Sequence, residues 1–226
     1  MIATLARAPM ARLLRDPRAR LAMVGWSAVA VAFAIASRWR GSSHAADRAL
    51  LDAYGPLVLP LLAYAIAGGV VGARSLSRSG APLVAFGASP TRAAAVAVLV
   101  AVVACTVGGA CLAAAVDILA HGSADPPLGR DAMASAYAGG LGGAAYGAWF
   151  MLGASFGKQG GGRLALLVAD WMLGAGDGAA ALLTPRGHLR NLFGGPPPVD
   201  LPERASAAAL VAFAIACALL AARRAR

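Results

Sequence analysis

Lysine is nearly missing from this chain. It occurs once in 226 residues, against nineteen arginines, and ten acidic residues leave a net charge of +10. Charged residues of all kinds reach only 13%, roughly half the share of a soluble domain. The sequence also lacks any GxxxxGK[ST] phosphate loop, so it carries no such cradle for a nucleoside triphosphate. Its three cysteines, Cys105, Cys111 and Cys217, sit inside apolar runs with no CxxC or metal-ligand spacing. That placement suits small buried side chains and argues against a disulfide framework. No internal repeat and no separate soluble domain is visible.

What the chain has instead is apolar length. It is 59% hydrophobic, with a mean hydropathy of +0.69. Crossing a bilayer as a helix takes about 20 such residues. Uncharged runs lie at 21–37, 53–72, 93–116, 132–157 and 207–222, and a sixth, 164–184, is interrupted only by Asp170 and Asp177. Ala34-Ile35-Ala36 mimics a signal-peptide cleavage site. The basic stretch before it is long and the run exceeds a usual signal core, so an uncleaved first span is expected. Residues 1–20 set Arg7, Arg12, Arg15, Arg18 and Arg20 among Ile2, Leu5, Met10, Leu13 and Leu14. This pattern predicts a basic interfacial helix, interrupted at Pro9 and closed by Asp16-Pro17. The expected fold class is an all-α integral membrane protein, one transmembrane domain of six helices.

A pI near 10.9 points to nucleic acid when arginines share a polar face. Here they cluster at the ends of apolar runs, so membrane topology accounts for them and no nucleic-acid partner is expected. With both termini in the cytoplasm, the inner segments hold 13 Lys and Arg and the outer ones 7. Seven acids then fall outside and Asp16 inside. The positive-inside bias therefore predicts an N-in, C-in protein of the cytoplasmic membrane of a bacterium, with the turn at Lys158 inside.

Two segments between spans have internal order. The loop 73–92, ARSLSRSGAPLVAFGASPTR, carries Arg74, Arg78 and Arg92 and no acid. Pro82 suits a helical first turn, and Leu83 to Phe86 continue it until Gly87 and Pro90. A rigid, partly apolar turn is expected there, a firm grip for a cytosolic partner. The segment 185–206 predicts a short helix ahead of Gly194-Gly195, in an extracellular re-entrant stretch.

Other patterns bear on chemistry. Gly139, Gly143 and Gly147 recur every four residues, the spacing that lets helix backbones approach closely in lipid. Asp170 and Asp177 stand seven apart, nearly two turns, so both would share one face turned to the bundle interior or to a partner. Gly174-Ala175-Gly176-Asp177 also matches the GxGD pattern of intramembrane aspartyl (prepilin-like) peptidases, with Asp117 or Asp170 as partner. A proton-coupled transporter using Asp170 and Asp177 is the other alternative. Gly153-Ala154-Ser155-Phe156-Gly157 matches GxSxG, but His44, His121 and His188 all lie in polar segments. The reading retained assigns no catalytic, cofactor-binding or metal-ligating residue.

Three stretches resemble the membrane subunits of type-2 ATP-binding-cassette exporters. ARLLRDPRARLAMVGW is similar to the interfacial helix that enters their first span. GGVVGARSLSRSGAPLVAFGASPTRAAAVAVLV is similar to the loop that holds their coupling helix, with Pro90-Thr91-Arg92 in place and the usual acids absent. TPRGHLRNLFGG resembles their short extracellular helices between spans five and six. The resemblance implies a permease that is not itself an enzyme, driven by a separate cytosolic ATPase that binds the ATP. It implies Arg74, Arg78, Leu83, Phe86, Pro90 and Arg92 as coupling residues. It further implies a second permease copy or a relative facing this one across the path.

Overall fold

The computed structural model describes residues 2–41, 43–157 and 159–225. Lys158 and Arg226, counted above as inner charges, lie outside the described residues. The described chain is all-helical, with no strand among the described residues. Four helical rods are long and apolar enough to cross a membrane: Pro17–Trp39, Ala45–Val71, Pro90–Ala120 and Glu203–Arg224.

Helix α1, Ile2–Arg15, runs unbroken through Pro9. The expected interruption does not occur. Leu13, buried on the far side of that turn, and the bonds of Arg12 described below hold the helix to the bundle. Asp16 then caps α2, Pro17–Trp39, by accepting from the Arg18 amide at 2.9 Å, and Pro17 fills the first helical position.

The second rod starts earlier than the charge pattern suggests. Helix α3, Ala45–Ala49, leads without a break into a π-helical stretch, Leu50–Val58, and then into α4, Leu59–Val71. Pro56 lies inside the π-helical stretch and Pro60 just beyond it. Both remove a helical N–H, and the ring of a proline clashes with a regular preceding turn, which a wider turn relieves. Tyr54, in the same stretch, donates to Gly109 O at 2.6 Å. Gly72 ends α4 at φ +71°, a left-handed position that a side chain would strain.

Two short helices follow, α5 (Leu76–Ser79) and α6 (Ala81–Ala85). Ser89 caps α7, Pro90–Ala120, which pairs with α8, Leu128–Ala154. Their seam is a backbone contact. A Cβ at Gly143 would fall on the Cys105 carbonyl, and one at Gly139 would lie 2.6 Å from Gly109 O. At Gly147 it would meet Val102 Cα and Cys105 Cβ, both at 3.1 Å.

The expected fifth span, 164–184, is not one helix. Helix α9, Gly162–Leu173, is only 12 residues long. Gly174, Gly176 and Gly178 follow, each costing roughly 1 kcal/mol in a helix. The chain turns instead through a 3-10 segment, Ala179–Leu183, into α10, Pro185–Leu192. A Cβ at Gly174 would lie 2.7 Å from Arg186 Cβ, because the returning chain packs there. Helix α11, Glu203–Arg224, closes the bundle beside α8.

The core mixes alanines, with Ala34, Ala67, Ala101, Ala113, Ala145 and Ala154 fully buried, and larger side chains such as Tyr54, Tyr146, Phe150 and Met151. Other large apolar side chains point outward, among them Leu21, Val24, Leu99, Val107, Ile215 and Leu219. An outer surface so apolar suits lipid as the outer solvent.

Candidate coupling loop and buried polar centre

Chain direction separates two ends. One end gathers α1, the α4–α7 connection, the start of α9 and the end of α11, and it is rich in arginine. There α5 and α6 form a compact turn. Leu76 is fully buried, and the Ser79 hydroxyl donates to Leu76 O at 2.7 Å. Arg12 of α1 straps the turn down, donating to Val70 O at 2.9 Å and Ser79 O at 3.2 Å. Burial and the nearby Arg74 lower the Arg12 pKa from its ordinary value. With charge-assisted bonds to two carbonyls, the guanidinium remains a fixed cation.

The six expected coupling residues divide by exposure. Leu83 is half-buried and lines a crevice with Pro9 and Arg12, while Arg74, Arg78, Phe86, Pro90 and Arg92 are exposed. Phe86 is 91% exposed, at the tip just past α6. The result is an aromatic side chain presented on a braced turn whose connection also carries three exposed arginines, Arg74, Arg78 and Arg92. Arg163, in the first turn of α9, braces the same end from below. It donates to Gly160 O at 3.2 Å and Gly72 O at 3.4 Å, and stands 5.8 Å from the Tyr64 ring centre.

The two acids of the fifth run are separated in structure. Asp170 is fully buried in α9, where Tyr146 Oη donates to its Oδ2 at 2.8 Å and the Arg186 amide to its Oδ1 at 3.2 Å. One carboxylate thus joins α8, α9 and α10. Asp177 lies in the loop after α9, its side chain 72% exposed and paired with Arg190. Arg190 also donates to Ala175 O and Pro196 O, both at 3.0 Å. The expectation of one shared interior face is overturned, because the glycine-rich break turns Asp177 out of the helix. The two carboxylates are not hydrogen-bonded to each other, so the described geometry contains no proton-sharing dyad of these two. A cavity of about 270 Å³ lies between Asp52, Pro56, Arg186, Arg190 and Phe193.

Ser155 caps the end of α8 and gives its hydroxyl to Leu152 O at 2.7 Å. His188 Nε2 faces Leu182 O at 3.0 Å. Neither takes a nucleophile–base arrangement. Residues that sequence reasoning missed include Arg12, Arg163, Tyr146 and Arg190, each of which has a partner 13 to 91 positions away. The chain matches no protein-family model, no curated protein and no solved structure.

Proposed function

We propose that this chain is the permease subunit of a type-2 ATP-binding-cassette exporter in a bacterial cytoplasmic membrane. The observation that carries the reading is the braced turn of α5 and α6 between two long apolar rods, with Phe86 fully presented on it. An isolated loop has no need of an arginine strap from another helix. A turn that must transmit force does.

In this reading six segments cross the membrane, both termini are cytoplasmic, and the arginine-rich end faces the cytosol. Helix α8, about 40 Å long at 1.5 Å per residue, crosses despite the glycines that lower its hydropathy. Helices α9 and α10 form the fifth crossing and its re-entrant return. A separate ATPase binds and hydrolyses the ATP. Closure of two such ATPases would push on the α5–α6 turns of two facing permease copies, or of this chain and a relative, and tilt the attached rods as rigid bodies. The exposed, arginine-paired Asp177 does not favour the peptidase reading, and Asp170 serves as a packing hub.

A photocrosslinking amino acid in place of Phe86, in the full chain in its own cell, tests this. The expected product is a crosslink to a cytosolic protein carrying a Walker phosphate loop and a cassette signature. Crosslinks to lipid alone, with no cassette ATPase among the products, would overturn the proposal.

A further inference from the structure

At the end of the bundle opposite the arginine-rich one, α7 closes and α8 opens with three side chains turned toward one another. Asp117 lies in the last turn of α7, His121 caps that helix, and Asp131 sits in the first turn of α8. His121 Nδ1 stands 4.0 Å from Asp117 Oδ1 and 3.9 Å from Asp131 Oδ2. All three atoms fall within 4.8 Å of one another. These separations are too long for hydrogen bonds.

The three atoms are also buried and without partners: Asp117 Oδ1, His121 Nδ1 and Asp131 Oδ2 make no bond. Asp117 is 1% exposed. Ser135 donates to its other oxygen, Oδ2, which leaves Oδ1 aimed into the gap. Asp125, in the turn between the helices, adds a fully buried side chain with an idle Oδ1 of its own. No Lys or Arg among the described residues pairs with any of these acids.

Buried carboxylates facing each other with unspent oxygens are costly unless a proton is taken up or a cation joins them. The geometry fits one. A metal bound at roughly 2.0–2.2 Å by an imidazole and two carboxylates at tetrahedral angles needs donor atoms roughly 3.3–3.6 Å apart. The two His121 edges of 4.0 and 3.9 Å must therefore close by about half an ångström for ligation. One nitrogen and two oxygens suit zinc and its neighbours, whereas calcium and magnesium prefer oxygen alone.

We propose that Asp117, His121 and Asp131 form a divalent transition-metal site that staples α7 to α8 across the turn 121–127. Ser135 positions Asp117, and a fourth coordination place remains for water. His44 and Asp47, near Asp125, are more than half exposed and stand outside the site.

The test uses the full chain without a histidine tag, purified in detergent and stripped with chelator. ZnCl2 is then titrated while bound metal and the unfolding midpoint are read. Because Asp117 is fully buried, the variants are His121→Asn and Asp131→Asn, at partly accessible positions. Expected are one zinc per chain, a raised midpoint, and about tenfold or greater weakening in each variant. The His44→Ala chain should bind as the parent does, and MgCl2 should give no shift. No zinc retained, equal binding by both variants, or an equal shift with MgCl2 would overturn the site.

Discussion

At the arginine-rich end, Arg163 is buried and Arg12 partly so, and each gives two hydrogen bonds to carbonyls of neighbouring turns, while Arg163 Nη1 is left without a partner. At the acid-rich end, Asp117, Asp125 and Asp131 are drawn inward with one oxygen each left unbonded. In the first arrangement cations anchored on backbone carbonyls act as struts for the turn that carries Phe86. The second keeps bonding capacity in reserve, and such capacity implies a ligand. The difference teaches how one chain makes one end a rigid handle and the other a place for an ion.

Breaking the comparison outright requires losing the seam that holds the ends apart. Gly143→Leu should destabilise by about 3 kcal/mol, the upper range for overpacking, because its side chain would enter the Cys105 backbone. Gly25→Ala, with nothing within 4 Å, is the control and should be neutral or slightly stabilising. Thermal unfolding of the two variants in detergent reads the contrast. Equal midpoints would dissolve the seam as described.

A smaller effect isolates the handle. Arg12→Met removes two charge-assisted bonds and strands Val70 O and Ser79 O, for a loss of roughly 1.5–3 kcal/mol. Limited proteolysis should then cut within residues 73–89 faster than in the parent. Unchanged protection would mean that Arg12 is not the strap.

Part of this molecule was legible in its sequence and part was not. The apolar runs at 21–37, 93–116 and 207–222 lie inside observed helices that extend a few residues further, to caps such as Asp16 and Ser89. Charge marks where a run stops being apolar, whereas capping decides where the helix stops. The turn at Ala81–Ala85 and the helix before Gly194 were readable because Pro and Gly punctuate them. The break after Leu173 was misread, since a test of apolar length does not weigh three closely spaced glycines. Asp177 was misplaced for the same reason, and its partner Arg190 belongs to a different element. From the sequence, 117–131 reads as an acidic turn, whereas the helix runs on to Ala120 and His121 caps it, which puts Asp117 one turn before His121. The meeting of both with Asp131 depends on the angle of the turn between helices, which no local pattern encodes.

The smallest expected effect lies at Asp177. Its side chain is 72% exposed, and surface ion pairs contribute about 0–1 kcal/mol. Asp177→Asn should therefore insert normally and shift the unfolding midpoint by no more than a degree or two. A catalytic carboxylate at this place would show instead as complete loss of a peptide-cleaving activity in the Asn chain.

The assignment of the two ends to opposite compartments is open to direct labelling. Phe86→Cys and Ser123→Cys are introduced separately into a chain whose Cys105, Cys111 and Cys217 are replaced by alanine. Both positions are exposed in the structure. In intact cells, a membrane-impermeant maleimide should label Ser123→Cys at once and reach Phe86→Cys only after the membrane is opened. Labelling of Phe86→Cys from outside, or protection of Ser123→Cys, would contradict the orientation and with it the cytosolic handle.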